Sequence, residues 1–233
     1  MKYIITFVIT LQYLFVNAGT MQVITPNDFT GSDIERIQAA INAAKTTTHK
    51  VVIPQRNSNG SNSWKIDRAI VLPGNMTVIL DNCVIQLSDS CRDNMFRSDN
   101  VGIGITDPVW IYNISIVGVG NVLLRGADNP RSTGDAYRTL ALSPAKGRVS
   151  YGSDAGKEGR KQKGDWRNNL IQIAYVDVFT LKNIEIEHSH AWAISFERCR
   201  NAELSDIRFN NPETIIVNGV EKKVFNKDGI NLR

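Results

Sequence analysis

The chain has 233 residues, 42% of them hydrophobic and 21% charged, with 17 Gly, 7 Pro, 3 Cys and a formal net charge of +4. These are the proportions of an ordinary globular domain, so they exclude a disordered tail, a collagen-like fibre and a disulfide-framed miniprotein. The length suits one domain around one large core.

The first eighteen residues stand apart. Met1-Lys2 supplies a positive start, Tyr3 to Val16 is almost uninterrupted apolar sequence, and Val16-Asn17-Ala18 ends on a small residue. This predicts a cleavable secretory signal peptide over residues 1–18 and an exported domain over residues 19–233, secreted or periplasmic. The apolar run breaks at Gln12 and stops by Asn17, short of the roughly 20 residues of a membrane span. No later stretch predicts a span.

The next element is "GSDIERIQAAINAA", where Ile34, Ile37, Ile41 and Ala44 recur at helical spacing and Ser32 with Glu35 forms an S-x-x-E capping box. It predicts one amphipathic helix at about residues 33–45. Beyond it come short β-branched runs, "KVVIP", "MTVILDNCVIQL" and "WIYNISIVGVGNVLL", separated by Asn, Asp and Gly, the punctuation of turns. Cys83, Cys91 and Cys199 show neither a CxxC pair nor metal-ligand spacing, and an odd count leaves at least one thiol unpaired. Cys83 and Cys199 lie in apolar contexts and read as core residues. Residues 125–168 then carry ten Lys or Arg against five Asp or Glu, either a solvated loop or a basic rim that attracts a polyanion. Nucleic acid fits poorly, because no aromatic-interleaved basic motif is present; an acidic polysaccharide fits better.

A repeat follows. "FTLKNIEIEHS" laid over "AELSDIRFNNP" aligns Leu181 with Leu204, Ile184 with Ile207 and Ile186 with Phe209 at an offset of 23 residues, and Ile171 and Ile173 fall on Ile194 and Phe196 at the same offset. "YNISIVG" carries the Asn-Ile-x-Ile word once more at Asn113 to Ile116. A period of 20–25 residues with short strands predicts an all-β, single-stranded right-handed parallel β-helix, a solenoid opened by the short N-terminal capping α-helix. A leucine-rich repeat would need a Leu-x-x-Leu-x-Leu word in each unit. "LIQI", "AISF" and the final "GINL" share one form and predict successive rungs of one sheet. Because Ile230 and Leu232 would form a rung with nothing stacked on it, the β-helix domain at 19–233 is expected to be incomplete at its C-terminus, an N-terminal fragment of a longer protein.

The helix followed by "VVIP", the words "NMTVILDNCVIQL" and "NIEIEHSHAWAISFERC", and above all "FNKDGINL" resemble the pectin-lyase-like right-handed β-helix proteins, and within them glycoside hydrolase family 28, the polygalacturonase-related group. The resemblance covers about residues 23–233, and its catalytic motif is the Asn-x-Asp-Gly of Asn226, Asp228 and Gly229. It implies that Asp228 is an acid/base residue activating water. It also implies that the partner Asp pair, a Gly-His-Gly histidine and an Arg-x-Lys lie beyond Arg233. The chemistry has its own logic: inverting hydrolysis needs one carboxylic acid to protonate the leaving oxygen and one carboxylate to deprotonate water, about 6.5–9.5 Å apart. A turn aspartate preceding Gly229 is the plainer reading of Asp228.

Around that motif, His188 and His190 sit in the turn before "AISF", where they could contact substrate or serve the turn; with no third ligand at suitable spacing they do not predict a metal site. Trp192 could stack on a sugar ring or simply pack. Arg198, Arg233 and Lys227 could each pair with a uronate carboxylate, with Asn226 beside them, or solvate the surface. The leading expectation is an exported glycosidase cleaving a pectin- or galacturonan-like polysaccharide, needing no cofactor, monomeric in its full-length form, with no nucleic-acid partner. "NKDGINL" departs from the family's Asn-Thr-Asp-Gly-Ile/Phe-Asp form at Lys227 and Asn231, which bears on substrate more than on hydrolysis. The alternatives are a polysaccharide lyase, for which no Ca²⁺-type Asp cluster is visible, and a noncatalytic glycan-binding protein of tailspike or adhesin kind.

Overall fold

The computed structural model describes residues 23–89, 91, 93–100, 108–128, 170–189, 193–217, 219–223 and 229–232. After a 3-10 turn at Pro26–Asp28, helix α1 spans Asp33–Ala44. The capping box forms: the Ser32 backbone N–H and hydroxyl both donate to Glu35 Oε2 at 2.8 Å, which holds the Glu35 carboxyl below its ordinary value. Ile34, Ile37, Ala40, Ile41 and Ala44 form its buried stripe.

Fifteen strands follow among the described residues: β1 Lys50–Ile53, β2 Ser63–Ile66, β3 Ile70–Leu72, β4 Met76–Asp81, β5 Val84–Leu87, β6 Phe96–Ser98, β7 Ile111–Val119, β8 Leu123–Arg125, β9 Ile171–Ala174, β10 Val176–Glu187, β11 Ile194–Glu197, β12 Arg200–Asn210, β13 Thr214–Val217, β14 Val220–Lys223 and β15 Ile230–Leu232. They form an eight-stranded sheet in the order β1-β4-β7-β10-β8-β5-β2 with β12 added on β10, a five-stranded sheet in the order β15-β11-β9-β6-β3, and the β13-β14 pair. Both larger sheets are parallel throughout. Between them lies a continuous core that includes Trp64, Phe96, Phe179, Ile114, Leu124 and Ile186. Phe179 and Phe196 meet edge to face there at 5.5 Å.

This corrects the expected fold class. The described residues form one helix against two parallel sheets, an α/β-like layout, and not a single-stranded right-handed parallel β-helix. β10 is the reason: at twelve residues it pairs with β7 through Val176–Lys182 and with β8 through Glu185–Glu187, so two rows of strands join and the larger sheet curls back on itself. The 23-residue step is real but local. Leu181 lies beside Leu204, Ile184 beside Ile207 and Ile171 beside Ile194, whereas elsewhere the steps are unequal, with Lys50 beside Thr77, Thr77 beside Ser115 and Ser115 beside Thr180. The Asn-Ile-x-Ile word does not stack on its copy either, since Ile114 pairs with Phe179. Asn113 and Asn183 instead share a left-handed backbone, φ 56° and 54°, a conformation asparagine tolerates better than most residues. The repeated word marks a bend, after which Ile-x-Ile turns inward.

Exposed strand edges invite unwanted pairing unless covered, and the residues before β4 cover three. Ile24 bridges to Val51 of β1, Asp33 Oδ2 accepts from the Lys65 N–H of β2 at 2.8 Å, and Gln38 exchanges two hydrogen bonds with the Val71 backbone of β3. At the far side, β15 pairs with β11 as the "AISF" and "GINL" words predicted, and Ile230 and Leu232 are exposed.

All three cysteines are free thiols. Burial pushes Cys83 up to about 12 and raises Cys199 above its ordinary value. The thiolate is the reactive form, so Cys83 should resist iodoacetamide at pH 8 in the native protein and react fully in denaturant, which mass spectrometry of the alkylated chain reads directly. Labelling of the native protein at a free-thiol rate would contradict its burial.

Candidate functional site

Parallel in-register pairing sets like positions side by side, about 4.8 Å apart. At the C-terminal end of the larger sheet this produces a polar row across four strands: Gln86 of β5 pairs with Arg125 of β8, Arg125 is in register with Glu187 of β10, and Glu187 with Asn210 of β12. Arg125, Glu187 and Asn210 each close their strand, so their side chains are free of the core, whereas Gln86 stands one residue before the end of β5 and is buried. The Arg125 guanidinium is the hub, with Nη2 at 3.4 Å from Asp128 Oδ1 and Nε at 3.9 Å from Glu187 Oε2. Gln86, buried, donates to the Gly126 carbonyl at 2.9 Å and reaches Asp128 Oδ1 at 3.4 Å, while Asn210 donates to Glu187 Oε1 at 3.4 Å. Two carboxylates therefore flank one guanidinium.

His188 follows Glu187 directly, with a left-handed φ of 50° that turns the chain out of β10. Burial, then the positive charge of Arg125, pulls its imidazole below its ordinary value, opposed by Glu187 and Asp128. It is accordingly neutral at pH 7, able to accept or donate one proton. The Ser189 N–H is fixed by Asn211 Oδ1 at 2.9 Å.

Of the turns entering the smaller sheet, the one that leaves β5 starts at this same side. The one before β6 holds Asp93, whose carboxyl burial raises above its ordinary value although the Arg97 guanidinium stands 3.7 Å away.

Of the residues singled out in the sequence, the description includes His188 and Arg198. Asp228, Asn226, Lys227, His190, Trp192 and Arg233 lie outside the described residues, as do the signal peptide and residues 129–168 of the basic segment. Arg198 is not beside His188. The two occupy opposite ends of β11, a strand about 13 Å long at about 3.3 Å per residue. Arg198 instead reaches over the Tyr175 ring, 5.8 Å from its centroid, in a second cluster with Trp110 and Arg200. Sequence reasoning met Arg125 and Asp128 only as part of the basic 125–168 segment and passed over Glu187 and Asn210, because none belongs to a motif. The signal that marks three of them is positional: Arg125, Glu187 and Asn210 stand where alternating apolar runs stop.

No family model matches the chain, and no curated protein matches it; the resemblance to glycoside hydrolase family 28 thus finds no support there. Among solved structures the chain is similar to a provisionally assigned glycosyl hydrolase from Parabacteroides merdae, at 11% identity, covering 80% of this chain and 73% of that one with a TM-score of 0.49. It is also similar to the surface adhesin PfbA of Streptococcus pneumoniae, at 12% identity, covering 82% of this chain and 38% of that one with a TM-score of 0.48. Likeness at this level carries no weight for activity. Among the described residues no helix is long and apolar enough to cross a membrane.

Proposed function

We propose that this protein is an exported glycoside hydrolase of an acidic, galacturonan-like polysaccharide, working at the side of the fold where β8 and β10 end. The observation that carries the reading is the pair of carboxylates, Asp128 and Glu187, on either side of Arg125 and next to a neutral His188. A pair of that kind can divide the work of protonating the leaving oxygen and activating water, as the two carboxyl groups of inverting enzymes do. Arg125 has a second use, because it can exchange a carboxylate of the protein for a uronate of the substrate. Asp228, which the Asn-x-Asp-Gly resemblance singles out, is a third carboxylate of this reading, two positions before β15 in the chain.

A purified chain should release reducing ends from polygalacturonate and not from a neutral glucan, with Glu187→Gln lowering kcat by about 10²–10⁴. Products that absorb in the ultraviolet as unsaturated uronates would move the assignment to a lyase. A second reading, a protein that binds glycan without cutting it, is favoured by the exposed arginine and aromatic cluster around Arg198; binding of polygalacturonate with no product over long incubation would establish it in place of hydrolysis.

A further inference from the structure

At the end of the smaller sheet opposite His188, where the chain passes from β9 to β10 and from β11 to β12, the protein carries a patch unlike any other part of its described surface. Trp110 and Tyr175 meet edge to face at 5.7 Å. The Arg200 guanidinium lies over the Trp110 ring at 4.2 Å and that of Arg198 over Tyr175 at 5.8 Å. Tyr112, 53% exposed, stands beside them, in one row across three strands with Asp177 and Arg200. The Asp177 carboxylate accepts from the Asn201 amide at 2.7 Å, and among the described residues neither Arg198 nor Arg200 forms an ion pair.

We propose that this patch is a binding surface for acidic oligosaccharide, separate from the Arg125 corner, in which Arg198 and Arg200 grip uronate carboxylates and Tyr112 carries the apolar face of a sugar ring. Each guanidinium lies over an aromatic ring, a contact that favours arginine over lysine, and its N–H donors suit a bidentate carboxylate contact, which a lysine could not reproduce. Exposed tyrosine offers an apolar face with a polar tip, the combination a pyranose ring meets with its C–H face and its hydroxyls. Adjacent strands are about 4.8 Å apart, comparable with the advance of one sugar along an extended chain, so the row Tyr112, Asp177, Arg200 matches successive residues of a polymer. Asp177 can accept from the hydroxyls of a sugar lying between the two whose carboxylates meet arginine, and the oligonucleotide arm of the test separates this ligand from nucleic acid. The inference shares with the hydrolase reading only its choice of ligand.

The test is calorimetric titration of the full chain carrying Asp228→Asn, to suppress turnover, with an oligogalacturonate hexamer, its methyl ester and a single-stranded oligonucleotide. The free acid should bind, the ester should bind at least about tenfold more weakly, and Arg198→Gln with Arg200→Gln should weaken the acid about 10–100-fold at unchanged melting temperature, the loss expected for charge-assisted contacts. Tyr112→Ala should weaken both acid and ester, and it stands in should the double variant fail to fold. Unchanged hexamer affinity in these variants, or tighter binding of the oligonucleotide than of the hexamer, would overturn the inference. Hexamer binding that depends on Arg198 and Arg200, with no hydrolysis by the unsubstituted chain, would uphold it while removing the hydrolase reading.

Discussion

Replacing Ile184 with Asp should unfold the protein or lower its stability by more than about 4 kcal/mol. Ile184 is 2% exposed and sits in β10 between the bend at Asn183 and the stretch that pairs with β8. It lies beside Ile207 of β12 and belongs to the core that both sheets share. A carboxylate there has no partner, so it must either be buried charged or drag the strand junction open, and β10 is the strand that joins the two rows of the larger sheet. Ile184→Val, which removes one methyl group, should cost only about 0.5–1.5 kcal/mol. Thermal unfolding of the two variants separates polarity from size. An Asp variant that melts within a degree or two of the valine variant would show that β10 is not the keystone its pairing makes it.

The second large effect concerns Asp228. If it activates water, Asp228→Asn removes the proton acceptor while keeping size and most turn hydrogen bonding, so kcat on polygalacturonate should fall by about 10²–10⁴ with the melting temperature nearly unchanged. Asparagine is among the best residues for such a turn, which makes the substitution selective: a purely local role predicts near-normal turnover. That outcome would take Asp228 out of the site and leave Asp128 and Glu187 as the carboxylates to examine.

Much of the local structure is legible in the sequence. The helix begins where Ser32 and Glu35 say it should, because capping is settled within four residues. The pairing of Leu181 with Leu204 and of Ile171 with Ile194 follows from an offset visible by eye, because inward positions on adjacent parallel strands share one core. The overall architecture is less legible. A period read from β9 to β12 does not extend to β1, β4 and β7, since insertions of different length separate strands that still pair in register. Whether a long strand pairs along one neighbour or two is decided by the whole assembly, and the twelve residues of β10 look the same either way. The candidate site shows the same division. His188 and Arg198 stand ten positions apart in the chain, yet β11 sends them to opposite ends of a sheet, while Gln86, Arg125, Glu187 and Asn210, scattered over the sequence, become neighbours through register alone.

The most direct test of the hydrolase reading is a crystal structure of the Asp228→Asn chain with an acidic oligosaccharide bound. A sugar chain whose glycosidic oxygen lies within hydrogen-bond reach of Asp128 or Glu187, with a uronate carboxylate on Arg125, is the predicted result. An oligosaccharide seated elsewhere, with the Arg125 corner empty at saturating ligand, would contradict it.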